Sequence, residues 1–172
     1  MDPMKAEFEI RQLHARYADG VFRKDLEALA PLFTNDCEWR VGGMTMQGRD
    51  AILDLMQGVF GQFSRILMTF RTPIVDVGAE GVTARTYVTE QSAYSDGRPF
   101  GPIGLYYDRF AVAYGALRFN WRLFQTHYAG TPDLPAPVEF LDVADYGPPP
   151  AMPPLDEETV DRSGLSTSVG KG

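Results

Sequence analysis

The stretch Ile10–Trp39, IRQLHARYADGVFRKDLEALAPLFTNDCEW, decides how the rest of the chain is read. Ile10, Leu13, His14, Tyr17 and Val21 recur at helical spacing and mark the apolar stripe of a helix over 4–22, with Lys5, Glu9, Arg16 and Arg23 elsewhere on the wheel. Asp25 is placed to cap a second, short helix, because its carboxylate can accept the free N–H groups of a first turn. Leu26, Leu29, Ala30 and Phe33 form that helix's buried stripe. Thr34-Asn35-Asp36 reads as the turn out, and Cys37 to Val41 as a short strand halted by Gly42-Gly43. The stretch thus reads as a long helix with Tyr17 on its apolar face, a clipped second helix and a strand carrying Trp39.

Downstream, Ile52, Leu55, Met56, Val59, Phe60 and Phe63 predict a third helix over 49–63. The period then changes to two. Arg65 to Val77, Val82 to Tyr94, Ile103 to Tyr114 and Leu117 to Tyr128 read as four long strands, rich in β-branched and aromatic residues. Their connections are too short for parallel crossovers, so antiparallel hairpins are expected. Pro73 inside the first of them implies an edge or a bulge. The fold class is therefore α+β, with helices closing one face of a curved sheet.

The chain has 172 residues and a net charge of −7, but the charge is unevenly spread. From Thr131 onward there are eight acids against Arg162 and Lys171, which leaves 15 acids and 14 bases in residues 1–130. Such a body has no basic field for nucleic acid or an anionic membrane. Eight of the 13 prolines also lie beyond Thr131, so residues 1–130 are read as the domain and 131–172 as a Pro-rich acidic tail. The apolar island Val138-Glu139-Phe140-Leu141 could dock on this domain or on a neighbouring subunit. The lone Cys37 cannot form an internal disulfide, and it reads as a buried strand thiol. No run approaches the ~18 apolar residues of a membrane span, and no basic-then-apolar leader opens the chain, so a cytoplasmic protein is expected.

This layout resembles the NTF2-like superfamily, and within it the SnoaL-like group, to which ketosteroid isomerase- and scytalone dehydratase-like domains are related. The resemblance rests on Tyr17, the phrase KDLEALAPLFTNDCEW, Gly48-Arg49-Asp50-Ala51-Ile52, the pair Tyr106/Asp108, and Asn120-Trp121-Arg122. It implies a cone of sheet and three helices around an apolar cavity, assembled as a homodimer or homotrimer. Against the ketosteroid-isomerase-like pattern, Tyr17 keeps its place eight residues before Asp25, as a donor to a developing oxyanion. The base of that pattern falls at Val41, or at Trp39 with a slipped register, and its second donor falls near Tyr107. A histidine common at the start of the first long strand is Met68 here. The aspartate that epoxide-hydrolase-like members place after Trp-Arg is Leu123 here.

The remaining candidates come from the strands. Glu90 is in phase with Ala84, so if the small residue faces the cavity the carboxylate does too, where desolvation would raise its pKa. His127 is in phase with Trp121, Leu123 and Gln125 and titrates near neutrality. His14 lies one turn before Tyr17, and Asp108 with Arg122 reads as a structural ion pair. The expected catalytic set is thus Tyr17, Glu90, Tyr107 and His127, and the expected substrate wall is Trp39, Val41, Phe60, Met68, Phe70, Tyr94 and Trp121. The spacing of the two histidines suggests no metal site, and no dinucleotide or phosphate loop is present, so no cofactor is expected. These parts suit a lyase or isomerase acting on a hydrophobic, aromatic, hydroxylated small molecule by dehydration or retro-aldol cleavage. The alternatives are a non-catalytic binding module and a structural subunit of a ring-hydroxylating oxygenase.

Overall fold

Asp2 begins the first helix by accepting the amide of Lys5 at 2.9 Å, with Pro3 preset for the first turn. The computed structural model describes residues 1–133. Within them, α1 (Pro3–Arg23) ends at Lys24, which takes a left-handed conformation. Asp25 then caps α2 (Leu26–Leu29) through Ala28 N–H at 2.9 Å, as its position predicted. Gly20 lets these two helices close up, since a Cβ there would meet the Leu29 side chain at 2.8 Å. A 3-10 turn (Ala30–Leu32) carries the chain into β1 (Phe33–Val41).

Thr34-Asn35-Asp36 is therefore strand and not the expected turn, and Phe33 is its first residue and not the end of the helix. The cause is tertiary. β1 lies parallel to the last strand, with Phe33 opposite Phe119, and a register shift before Glu38 absorbs the polar triplet. Gly42 and Gly43, both at positive φ, form a two-residue turn into β2 (Met44–Gln47), a strand the sequence reading missed.

Helix α3 (Arg49–Gln62) passes directly into β3 (Phe63–Phe70). Lys24 caps its C-terminus by donating from Nζ to the carbonyl of Phe60 at 3.0 Å and to that of Phe63. The expected long strand over 65–77 is two strands. β3 and β4 (Ile74–Gly78) are separated at Arg71-Thr72-Pro73 and pair with successive parts of β5 (Gly81–Tyr94). A two-residue β6 (Pro99–Phe100) precedes β7 (Ile103–Ala113) and β8 (Ala116–Tyr128), which form the predicted antiparallel hairpin. The sheet order is β2-β1-β8-β7-β5-β3, with β4 and β6 also on β5. The architecture is the α+β cone that the pattern implied.

The main core lies between the helices and the inner face of the sheet. Ala6, Ile10, Leu13, Tyr17 and Val21 of α1 and Ile52, Met56 and Phe60 of α3 meet Val82, Ala84, Val88, Tyr106 and Phe119 there. Cys37 is part of this core, and burial pushes its thiol up to about 12. Among the described residues no helix is long and apolar enough to cross a membrane. The Pro-rich acidic segment, including residues 138–141, lies outside the described residues.

One polar element interrupts this core. Asp108 and Arg122 face each other across β7 and β8 with no solvent exposure, joined by Arg122 Nε donating to Oδ1 at 2.7 Å. Arg122→Leu would leave the carboxylate buried without its cation, a loss of about 3–5 kcal/mol. The exposed Arg23–Asp19 pair is screened, so Arg23→Ala is expected to cause no measurable loss. Urea unfolding of the two variants tests the contrast, and equal midpoints would contradict it.

Candidate active site

Where α1, α3 and the inner face of the sheet diverge, they leave a cavity of about 490 Å³. Its walls are mostly apolar: Val21, Trp39, Val41, Leu55, Met56, Val59, Phe60, Phe63, Ile66, Met68, Val88, Phe100, Pro102 and Phe124. Gly42, Gly43, Met44 and Ala129 also line it and are exposed, so the mouth lies beside the β1–β2 turn. Five lining side chains carry polar groups: Tyr17, Trp39 (through its indole N–H), Glu90, Tyr106 and Thr126.

Tyr17 reaches the cavity because its place on the helical stripe turns it inward, and it is 2% exposed. Tyr106 comes from β7, opposite Phe124 of β8 and Thr86 of β5. The two rings pack edge to face at 6.4 Å, and each phenol acts on the pKa of the other. Burial is the larger effect on both and pushes both above the ordinary phenol value, so both are neutral.

Behind the phenols lies the buried cation. The Arg122 guanidinium stands 4.5 Å from the ring centre of Tyr17, 4.1 Å from that of Tyr106 and 3.9 Å from that of Phe119. Its charge lowers the pKa of both phenols, opposing the effect of burial, and so strengthens them as donors. His14 completes the support by bonding Asp108 Oδ2 through Nε2 at 3.0 Å while stacking on Phe70 at 4.7 Å. Burial holds His14 below its ordinary pKa despite the neighbouring carboxylate, so the ring is neutral near pH 7.

Glu90 stands on β5 opposite Met68. Its carboxylate accepts a hydrogen bond from Ser92 Oγ. Desolvation raises its pKa and the Ser92 bond partly offsets this, with a net upward shift. Its negative charge also acts on both phenols, raising their pKa values.

The structure thus brings together Tyr17, Glu90, Trp39, Val41, Phe60 and Met68 of the sequence candidates. The others lie elsewhere. Tyr107 and Trp121 belong to a separate buried cluster with Leu105 and Leu123, on the opposite face of the sheet. His127 falls in the register shift between Thr126 and Tyr128 and does not line the cavity. For Trp121 the phase was read correctly, but it is the wrong face for the cavity. Phe70 lies under the floor against His14 and Tyr106 and borders a second groove beside α1. Tyr94 is outside the wall, stacked on Phe63 at 4.3 Å and packed on Phe100 at 5.6 Å. The residue missed is Tyr106, one position from Tyr107. Its two-residue spacing from Asp108 carried the signal, since the ion pair has to face the interior. Among the described residues no group of three or more His, Cys, Asp and Glu is arranged to hold a metal ion.

Residues 3–123 match the model of the SnoaL-like domain, and the chain belongs to that family. Solved structures share the fold. A proposed scytalone dehydratase from Novosphingobium aromaticivorans is 23% identical with a TM-score of 0.66, covering 71% of this chain and 84% of that one. The hexachlorocyclohexane dehydrochlorinase LinA-type3 from Novosphingobium barchaimii is 19% identical with a TM-score of 0.68, covering 85% and 97%. A proposed aromatic ring hydroxylase from N. aromaticivorans is 20% identical with a TM-score of 0.67, covering 72% and 90%. No curated protein matches the sequence.

Because the folded-state pKa of Glu90 is raised, the stability this group contributes is full below about 4.5 and is lost as pH rises through the folded value. Ser92→Ala removes the one contact that opposes the rise, so carboxyl titration followed by carbon-13 NMR should move further upward. An unchanged titration would show that the Ser92 bond has no hold on the carboxylate. Glu90→Gln should flatten the loss of stability with pH, as measured by denaturant midpoints across the range.

Proposed function

We propose that this SnoaL-like domain protein is a cofactor-independent lyase or isomerase for a hydrophobic, aromatic, hydroxylated small molecule. The observation that carries the proposal is the convergence of two neutral phenols and one pKa-raised carboxyl on a single apolar cavity. A carboxyl whose pKa is raised is a stronger proton acceptor than an ordinary carboxylate, and a neutral phenol can hold a developing oxyanion in a water-poor space. The apolar walls, including Trp39, Phe60, Phe63, Phe100 and Phe124, suit a flat ring better than a sugar. Relatives of this fold named as a dehydrochlorinase and a proposed dehydratase are consistent with elimination chemistry.

In a dehydration, the Glu90 carboxylate takes a proton from the carbon beside a substrate carbonyl. The electron pair moves to the carbonyl oxygen, where Tyr17, packed on Tyr106, donates a hydrogen bond. The enolate then expels the β-hydroxyl, which leaves as water with the proton returned from Glu90. For retro-aldol cleavage, Glu90 instead takes the hydroxyl proton, the carbon–carbon bond breaks, and the same proton returns to the enolate carbon. Arg122 is a positioning residue, acting through the two rings. Tyr106 takes the role that the sequence assigned to Tyr107, and His127 has none in this scheme.

A second reading, a non-catalytic binding module, is favoured by Val41 and Met68. Both line the cavity where related domains carry an acid and a histidine. Kinetics separate the two readings. Screening hydroxylated aromatic ketones for elimination should reveal turnover that Tyr17→Phe lowers at least about tenfold and Glu90→Gln about 10²- to 10⁴-fold. Wild-type activity should rise with pH along a limb set above the ordinary carboxyl range, and Glu90→Gln should abolish that limb. Turnover unaffected by both substitutions would remove the mechanism, and saturable binding without turnover would favour the binder.

A further inference from the structure

Helix α1 carries a second stripe, on the side that the core does not use. Met4 is 81% exposed, Phe8 65% and Phe22 50%, although all three are large and apolar. With Arg11, Ala15 and Ala18 they recur in alternating steps of four and three along the helix. At ~100° per residue these six positions fall within about 80° of the helix surface, facing away from Ile10, Leu13 and Tyr17. Steps of four and three are the pattern by which one helix packs lengthwise on another.

Beside the stripe lies a groove of about 370 Å³ between α1 and the β3–β4 link, whose lining includes Arg11, Ala15, Ala18, Phe70 and Pro73. The two alanines leave the stripe low where the groove opens, while Phe8 stands out one turn before Arg11 and Phe22 one turn after Ala18. One face therefore presents both a projecting aromatic ring and a hollow that can receive one.

From this we infer that α1 packs against α1 of a second copy of this chain, antiparallel about a two-fold axis, with Phe8 of each copy seated at Ala18 and the groove of the other. Size and charge fix the direction. An antiparallel pair sets Phe8 against Ala18, Arg11 against Ala15 and Met4 against Phe22, so large side chains meet small ones along the middle of the seam. It also brings Lys5 to Asp19 of the second copy at the edge of the seam, both side chains being more than 60% exposed. Within its own helix Lys5 neighbours Glu9 and Asp19 neighbours Arg23, so each contact between copies joins two existing pairs into one alternating network. A parallel pair would stack Phe8 on Phe8, leave the alanines facing each other across a gap and hold Lys5 far from Asp19. The two-fold arrangement uses the same patch on both copies and therefore closes at a dimer. With 21 residues, α1 is about 32 Å long at ~1.5 Å per residue, enough for every layer of the seam.

Sedimentation of the full chain tests the proposal, and a dimer is expected at micromolar concentration. Phe8→Asp, at a position exposed in the protomer, should raise the dissociation constant at least about tenfold while the far-UV circular dichroism stays unchanged. Lys5→Glu should weaken the dimer severalfold by setting two acids together, and adding Asp19→Lys should restore it. Cysteine trapping reads the direction. Lys5→Cys chains mixed with Asp19→Cys chains should join through a disulfide on oxidation. Lys5→Cys chains alone should not, since their two sites stand about 21 Å apart along the axis at ~1.5 Å per residue. The native Cys37 is buried and takes no part. A monomer or a trimer at every concentration, a dimer indifferent to Phe8→Asp, a charge swap that fails to restore association, or a disulfide formed by Lys5→Cys alone overturns the proposal.

Discussion

An aspartate and an arginine with no exposure to water, Asp108 and Arg122, are held 2.7 Å apart on neighbouring strands beneath the cavity. Taking such charges out of solvent is expensive, and partners on each side lower the cost, although Arg122 Nη1 and His14 Nδ1 make no hydrogen bond among the described residues. These partners come from three elements. His14 of α1 bonds the carboxylate, and the rings of Tyr17, Tyr106 and Phe119 surround the guanidinium. The requirement to satisfy one ion pair therefore fixes the rotation of α1 against the sheet, the register of β7 against β8 and the position of both phenols. The floor of the site and the keystone of the fold are the same atoms.

Above that floor the cavity divides its chemistry cleanly. The walls offer mostly apolar and aromatic surface, while the polar side chains are few. A carboxyl in such a place is shifted toward the neutral form, and phenols stay neutral across the useful pH range. Desolvation thus shifts the pKa of one group toward the neutral form, and the two phenols act as neutral hydrogen-bonding groups. That asymmetry is what a proton-transfer site needs, and the desolvation that creates it is unfavourable to the ionised protein.

Much of this was legible in the chain. The 3.6-residue period of α1 turned Tyr17 inward, and the shared phase of Glu90 with Ala84 put the carboxylate on the cavity wall. What a period of two cannot reveal is which face is the inner one when both are apolar. On β7 and β8, Tyr106 and Phe124 line the cavity while Leu105, Tyr107, Trp121 and Leu123 are buried on the other side. Tyr107 and Trp121, expected in the cavity, lie on the other side for this reason. The strand character of Thr34-Asn35-Asp36 was hidden for another reason. The triplet lies in a register shift between Phe33 and Glu38, whose partners on β8 are more than eighty residues away, and no local propensity encodes that pairing.

The junction of α3 with β3 has a consequence for motion. Gln62 ends the helix and Phe63 begins the strand, with no loop between them. Both the amide and the hydroxyl of Ser95 donate to the Gln62 carbonyl, and Lys24 holds the last turn. A helix fastened in this way cannot swing as a lid, because any tilt would drag Met68 and the ladder that positions Glu90. The opposite rim is built differently, from two glycines at positive φ and the exposed Met44. The cavity is thus bounded by two rims of different construction: a helix end tied into the sheet ladder, and a two-residue glycine turn beside the mouth.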